Sequence, residues 1–216
     1  MNSPDLERDL AGARSAHARL LVTIAGLTDS QARQPSLLPD WSVGHVLTHI
    51  ARNADGMLRM TTAAERGEVA AMYAGGVAGR VADIEAGAGR SATELSDDVR
   101  TSIDRLESAW AEATPTGWAG HGVTVMGDLP ITDVPARRWR ETEVHHADLG
   151  LGYRFEDWPA DYVRLELVRM TAQWASRKPM GLTDLPAAVL AVPPNVRLAW
   201  LFGRHEIDGV PAAGVF

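Results

Sequence analysis

Two pairs of side chains in this sequence have the types and the spacing of metal ligands. Glu141 and His145 are four residues apart in one segment, and His45 and His49 are four apart in another. Because residues four apart lie on the same face of an α-helix, each pair could present two ligand atoms to one point. If the two helices pack side by side, one of the two histidines completes a His/His/Glu set. The sequence therefore predicts a divalent-metal site, with His45 or His49 as its third ligand.

An alternative stays open for Glu141 and His145, because a single Glu–His pair at this spacing is also common on the solvated face of a helix. Asp148 follows His145 by about one turn. Its carboxylate could accept a hydrogen bond from the His145 ring, as carboxylates near zinc ligands often do, or it could cap a neighbouring segment. Three protein ligands would leave a fourth position open, which is the arrangement of catalytic rather than structural zinc sites.

Four long amphipathic helices are predicted to position these side chains. The first runs from about residue 4 to residue 27, and the second from an N-cap at Ser42 to about residue 66. The third follows a capping box at residues 91–94 and ends near Pro115, and the fourth runs from an N-cap at Thr132 to a stop at Gly150 and Gly152. Four such helices indicate a four-helix bundle, in which metal sites are built from side chains on facing helices.

The connections between these helices are less regular. Residues 67–89 are rich in alanine and glycine, and the glycines are expected to interrupt any helix there. We expect a loop with short helical pieces, which could be a lid over the site or a mobile connection without a role. Residues 116–131 are expected to form a long crossover that could hold a short hairpin.

The character of the chain changes after Gly152. A fifth helix is predicted from Pro159 to Lys178, the apolar run 187–192 is strand-like, and Asn195 is a candidate N-cap for a last helix. The sequence therefore predicts two domains, a metal-binding helical bundle over residues 1–152 and a small C-terminal α/β domain over residues 153–216.

The composition is that of an ordinary globular protein, with 216 residues, 45% apolar and 23% charged. A net charge of −7 argues against a nucleic-acid partner or an anionic membrane partner. The sequence has no cysteine, so no protein thiol can act as a nucleophile or as a metal ligand. The lack of disulfides, of a signal peptide and of an apolar run long enough to span a membrane leads us to expect a cytoplasmic protein.

Three segments together resemble the mycothiol-dependent maleylpyruvate isomerase family, within the DinB-like metal-binding bundle superfamily. They are residues 40–55 with the His45/His49 pair, residues 140–150 with the Glu141/His145 pair, and residues 202–210 with Phe202-Gly203-Arg204. The resemblance implies a mainly α fold, a DinB-like four-helix bundle followed by a small C-terminal α/β domain. It implies a divalent metal, usually zinc, bound by His49, Glu141 and His145. His45 would then orient a ligand or merely pack, and Arg204 would have a functional role.

The resemblance also implies a reaction, the cis–trans isomerisation of maleylpyruvate to fumarylpyruvate with mycothiol as thiol cofactor. A thiol that reaches a zinc ion becomes a thiolate at neutral pH. Reversible addition of this thiolate to the cis double bond would make that bond single and free to rotate. Arg204 would hold the developing enolate charge or a substrate carboxylate. As an alternative, Arg204 is a surface residue favoured by a helix C-terminus. The expected partners are a small dicarboxylate and a low-molecular-weight thiol.

Two other functions remain open at this stage. A thiol S-transferase of the same superfamily would use the same metal and thiol but would release a conjugate. A non-catalytic bundle would use the metal only to hold its helices together. The metal motif does not separate the isomerase from the transferase, because both need the same ligands.

Overall fold

The computed structural model describes residues 3–177 and 183–214, and the chain divides into two compact units, Met1–Tyr153 and Arg154–Phe216. In the first unit the helices are α1 (Pro4–Ile24), α2 (Asp29–Ala32), α3 (Val43–Glu65), α4 (Gly76–Ala88), α5 (Ala92–Glu112), α6 (Pro115–Trp118) and α7 (Val134–Asp148), and the strands are β1 (His121–Thr124) and β2 (Gly127–Pro130). The second unit holds α8 (Ala160–Ala175), α9 (Ala187–Ala191) and α10 (Pro194–Leu201). Single 3-10 turns cover Ile131–Asp133 and Phe155–Asp157. The predicted mainly α fold is confirmed.

The four long helices of the first unit form a closed ring. Helix α1 contacts α5 and α7, and α3 contacts the same two helices from the opposite side. Their apolar faces enclose a core in which Leu20, Leu47, Leu95 and Ile103 are almost fully buried. This is the predicted four-helix bundle, and it makes α3 and α7, the two helices with the predicted ligands, direct neighbours.

Local side-chain chemistry starts three of these helices where the sequence predicts. Ser3, Ser42 and Ser91 each accept a hydrogen bond from the backbone N–H three residues further on. Such caps satisfy amide groups that have no partner within the helix. The start of α7 is different. Thr132 is not its N-cap, because residues 131–133 form a 3-10 turn and α7 begins at Val134. The predicted stop is confirmed, since Gly150 and Gly152 both have positive φ.

The prediction that glycines interrupt any helix within residues 67–89 is wrong, because α4 runs through Gly79 and Gly87. These two glycines allow close packing instead. A Cβ atom at Gly79 would lie 2.0 Å from the Ala74 carbonyl oxygen, and one at Gly87 would lie 2.5 Å from the Thr48 side chain. At Gly87 the loss of helix propensity, about 1 kcal/mol, is therefore offset by the close approach of α4 to Thr48 on α3. Gly79 instead makes room for the Ala74 carbonyl that precedes α4.

The hairpin expected within residues 116–131 is present. Strands β1 and β2 pair antiparallel, with Thr124 opposite Gly127 across the turn. The Val123 carbonyl accepts a hydrogen bond from the Met72 amide, and the Val123 amide donates to the Ala70 carbonyl. These bonds fasten the segment that leads into α4.

The second unit departs from the predicted α/β domain, since its described residues contain no strand. The apolar run 187–192 forms α9 up to Ala191, after Pro186, and no described strand of this unit is available to pair with it. A short apolar run fits a strand and a buried helix equally well. Helix α8 ends at Ala175, before the predicted Lys178, which lies outside the described residues. Asn195 does not cap the last helix, because α10 already begins at Pro194.

Among the described residues, no helix combines the length and the apolar character needed to cross a bilayer.

Candidate metal centre

Helices α3 and α7 present three ligand-type side chains to one point. His49 projects from α3, and Glu141 and His145 project from α7. His49 Nε2 lies 3.2 Å from Glu141 Oε2, and His145 Nε2 lies 3.5 Å from the same oxygen. One ligand atom from each of the three residues lies within 4.8 Å of the other two. The structure therefore brings together the three residues that the family resemblance implies as ligands.

Aromatic rings enclose this cluster on the side of the two histidines. The rings of His49 and His145 meet edge to face, with their centroids 4.5 Å apart. The Trp41 ring packs against His49 with a centroid distance of 5.7 Å. The side chain of His49 is 3% exposed, whereas that of Glu141 is 24% exposed. A small molecule would therefore approach from the side of the carboxylate.

The surroundings of the three groups set their charges. Burial, together with the positive charge of His145, lowers the pKa of His49 to about 4. Burial alone would raise the pKa of Glu141, but hydrogen bonds from His145 and His49 hold it well below its ordinary value. Burial would lower the pKa of His145, but its hydrogen bonds to Asp148 and Glu141 outweigh this and raise the pKa. Glu141 is therefore ionised and His49 neutral, while His145 would release a proton on binding a cation.

Asp148 holds the third of these groups in place. Its Oδ2 atom lies 2.9 Å from His145 Nδ1, and both side chains are buried. Because Nδ1–H donates to this carboxylate, release of the Nε2 proton would leave the Nε2 lone pair on the side of Glu141, where a cation would bind. A carboxylate in this position is a common partner of metal-binding histidines because it fixes both the tautomer and the orientation of the ring.

His45 has a different place. Its Nδ1 atom lies 3.1 Å from the Ser42 amide nitrogen and 2.7 Å from the Ser42 hydroxyl, and thus completes a capping box at the start of α3. Its Nε2 atom lies 3.5 Å from the Glu85 carboxylate on α4. Both ring nitrogens are therefore directed at groups other than the three ligand candidates. His45 contacts the Trp41 ring, which in turn packs on His49.

Arg204 belongs to the second unit and follows α10. Its backbone N–H donates to the Ala199 carbonyl at 2.8 Å, and its Nη1 donates to the Phe202 carbonyl at the same distance. Gly203, with a φ of +69°, allows the chain to turn there. A role for Arg204 in binding a substrate stays a prediction.

The sequence reasoning missed two side chains near the cluster, Arg80 and Tyr73. Arg80 Nη2 on α4 lies 3.2 Å from His49 Nδ1, and the Arg80 guanidinium lies 5.9 Å from the centre of the Tyr73 ring. One signal could have found Arg80, since it is the only lysine or arginine within residues 67–89. Because this segment is expected to be a loop, the sequence alone does not show where the Arg80 side chain lies relative to His49.

Behind the cluster, a buried polar network ties the bundle together. Arg138 is fully buried; its Nη1 donates to the Ile50 carbonyl and to Asn53 Oδ1, and its Nε donates to His17 Nε2 at 2.9 Å. The opposite nitrogen of His17 lies 2.6 Å from the Glu107 carboxylate. Burial lowers the pKa of Arg138 to about 10, so the side chain stays charged at neutral pH. The network joins all four long helices and thereby fixes α7 relative to α3.

The model of one protein family matches this sequence. Residues 13–150, which include all three ligand candidates, match the mycothiol maleylpyruvate isomerase N-terminal domain. The chain belongs to this family. The matched region covers more than half of the chain and ends before Arg204.

Two solved structures share the fold of this family member. One is the crystal structure of the mycothiol-dependent maleylpyruvate isomerase, and the other is a histidine-to-alanine mutant of that enzyme. Each has a TM-score of 0.80 and 24% sequence identity, over 92% of this chain and 89% of the other. Among curated proteins, none matches this family member significantly.

The residues of the cluster fit a divalent metal. Two imidazoles and one carboxylate are the donor set of several catalytic zinc sites, and three protein ligands leave one tetrahedral position for water or a substrate. The hydrogen bond from His145 to Asp148 fixes the orientation of one of the two imidazoles. In this family member the donor chemistry, the spacing of the donor atoms and their burial all agree with a metal centre.

Proposed function

We propose that this chain is a metal-dependent and mycothiol-dependent isomerase that converts maleylpyruvate to fumarylpyruvate by reversible thiolate addition. The observation that carries the proposal is the buried cluster of His49, Glu141 and His145 in a chain of this family. The shared fold of the mycothiol-dependent maleylpyruvate isomerase supports it.

The metal in this proposal is zinc, which His49, Glu141 and His145 would hold. When bound, it would supply a positive charge that keeps an incoming thiol deprotonated at neutral pH. The protein contributes the rest of the environment. Asp148 orients the His145 ring, and Trp41 covers the His49 ring, so both rings are held in one orientation. Solvent would reach the cluster from the side of Glu141, whose side chain is more exposed than that of His49.

The thiol in this proposal comes from a small molecule, since the sequence has no cysteine. Mycothiol is proposed because the chain belongs to the mycothiol maleylpyruvate isomerase family. The absence of cysteine also suits a reducing cytoplasm, where we expect the enzyme to act.

Arg204, in the predicted domain 153–216, is proposed to hold a substrate carboxylate or the enolate charge. A guanidinium can donate two parallel hydrogen bonds to a carboxylate, which gives both affinity and orientation. The metal-binding part of the proposal rests only on the predicted domain 1–152.

The test is a turnover assay with purified, zinc-loaded protein and maleylpyruvate, with and without mycothiol. Loss of the enol absorbance is followed, and the product is identified by chromatography. Thiol-dependent formation of fumarylpyruvate with recovery of the thiol is expected. His49→Ala should abolish both zinc binding and turnover, whereas His121→Ala, at an exposed histidine on β1, should change neither. Arg204→Ala should lower turnover or substrate affinity and leave zinc binding intact.

Other outcomes of this assay would reject the isomerase. Thiol that is consumed into a stable conjugate would indicate an S-transferase. Tight zinc binding without any reaction would indicate a bundle in which the metal only stabilises the fold.

A further inference from the structure

Helix α4 carries a positive charge to the edge of the metal centre. It packs on α3 with Ile84 and Ala88 buried, and Gly87 allows its close approach to Thr48 of α3. Arg80 therefore reaches His49, with Nη2 3.2 Å from Nδ1. Its side chain is half-buried, and it also interacts with the Tyr73 hydroxyl.

Arg80 differs from other arginines of the first unit in its partners. Arg52 and Arg90 both pair with Asp98, at 2.5 and 2.6 Å. Within residues 3–177 and 183–214, no carboxylate lies within 4.0 Å of the Arg80 guanidinium nitrogens. A guanidinium has five N–H donors and no acceptor. A half-buried guanidinium without a carboxylate therefore retains strong donors for an anionic ligand.

The contact between Arg80 and His49 also limits what His49 can do. Because Arg80 can only donate, His49 Nδ1 acts as the acceptor in this contact, and the ring proton is then on Nε2. Coordination of a cation by Nε2 needs the Nε2 lone pair, so the ring proton must move to Nδ1. Nδ1 can then no longer accept from Arg80. His145 shows the opposite arrangement, since its Nδ1 faces the acceptor Asp148.

We propose that Arg80 is the carboxylate anchor of this site, and that metal binding at His49 releases Arg80 to take the anionic substrate. The inference rests on the proposed function, and it deepens that function by assigning a substrate-binding residue on α4. The ligand class is a small carboxylate or dicarboxylate anion, because the planar guanidinium matches the two oxygens of a carboxylate.

The test measures binding without turnover. Maleate is a dicarboxylate, and it cannot undergo thiolate addition when no thiol is added. It is titrated calorimetrically into zinc-loaded wild type, Arg80→Gln and Arg33→Gln. Arg33 is an exposed arginine of the same unit, 3.9 Å from Asp29, so its variant controls for net charge. Arg80→Gln should bind maleate about tenfold more weakly, the loss expected for a charge-assisted hydrogen bond. Arg33→Gln should bind maleate like wild type. The neutral diamide of maleate should bind equally to all three proteins.

A parallel titration measures zinc itself. Arg80→Gln should bind zinc at least as tightly as wild type, because a cation beside a ligand ring has been removed. If Arg80→Gln does not fold, Arg80→Lys keeps the charge without the planar fork, and a smaller loss of maleate affinity is expected.

The outcomes separate the two proposals. If wild type does not bind zinc, the proposed function fails and this inference fails with it. If wild type binds zinc, but zinc-loaded wild type does not bind maleate or Arg80→Gln binds it equally well, only the role of Arg80 is overturned. If Arg80→Gln loses zinc binding, Arg80 supports the metal site itself and is not a substrate anchor.

Discussion

Replacing Asp148 by asparagine tests whether the buried cluster is built for a metal. Asp148 Oδ2 lies 2.9 Å from His145 Nδ1, and both groups are buried on α7. Asparagine keeps the shape of the side chain but removes its charge. It can also present its NH2 group to Nδ1, which would favour the tautomer whose Nε2 carries the proton. Zinc affinity should therefore fall, although none of the three ligands has been changed.

The expected magnitude follows from the kind of hydrogen bond that is lost. Removing the outer partner of a metal-binding histidine typically costs about 10- to 100-fold in metal affinity, which is about 1.4–2.7 kcal/mol. The asparagine carbonyl can still accept the Nδ1 proton. We therefore expect Asp148→Asn to weaken zinc binding by about tenfold, the lower end of this range.

The assay is competition for zinc against a chromophoric chelator at neutral pH, combined with urea unfolding. Glu143→Gln is the matched control, because Glu143 is also a buried carboxylate of α7 and is bonded to side chains other than His145. It accepts hydrogen bonds from Trp139 Nε1 at 3.0 Å, from the Tyr153 hydroxyl at 2.5 Å and from Arg19. Glu143→Gln should lower the free energy of unfolding by about 1–3 kcal/mol and leave the zinc affinity within about twofold of wild type.

Two patterns of results would refute this role of Asp148. If Asp148→Asn binds zinc like wild type while its unfolding free energy falls, Asp148 only stabilises the helix end. If both variants lose zinc affinity to the same extent, the loss reflects general destabilisation of α7 and not the orientation of His145.

Two further predictions concern the bundle that holds the site. Burial lowers the pKa of His17 from 6.5 to about 4 in the folded chain. Between these pH values the unfolded state binds more protons than the folded state. The free energy of unfolding should therefore fall by up to about 3 kcal/mol as the pH falls from 6.5 to 4. Urea unfolding of His17→Gln over this range should show a correspondingly flatter pH dependence than wild type, and parallel curves would contradict it. A Cβ atom at Gly44 would lie 2.2 Å from the Ala88 carbonyl oxygen, whereas nothing lies within 4 Å of one at Gly26. Gly44→Ala should therefore lose about 1–3 kcal/mol of unfolding free energy, while Gly26→Ala should be neutral or slightly stabilised, by less than about 1 kcal/mol; equal effects would show that α4 can move away from α3.

Helix starts and the bundle were predictable because their causes are local. Ser3, Ser42 and Ser91 cap their helices through hydrogen bonds that span three residues. The apolar stripes that follow them need a common core, and four such helices have few ways to provide it. Thr132 has the right residue type for a cap, but the 3-10 turn before Pro135 decides where α7 begins.

The glycines of α4 show where local rules fail. Glycine lowers helix propensity, and on that basis residues 67–89 were predicted to be mostly loop. The contacts that favour the helix lie far away along the chain, since Gly87 packs against Thr48 and Arg80 reaches His49. Similarly, the run 187–192 had no partner strand to pair with among the described residues of its unit, and nothing within the run itself indicated this.

By itself, the sequence determined which chemistry was available. It put Glu141 and His145 four residues apart, because the period of a helix does not depend on the rest of the fold, and it excluded any protein thiol. Only the tertiary structure decided the rest of the site. It turned His49 toward the Glu141 oxygen, used His45 for the helix cap, and brought Arg80 on α4 next to His49. The physical reason is that these contacts depend on how helices pack, and packing depends on side chains that are distant in sequence.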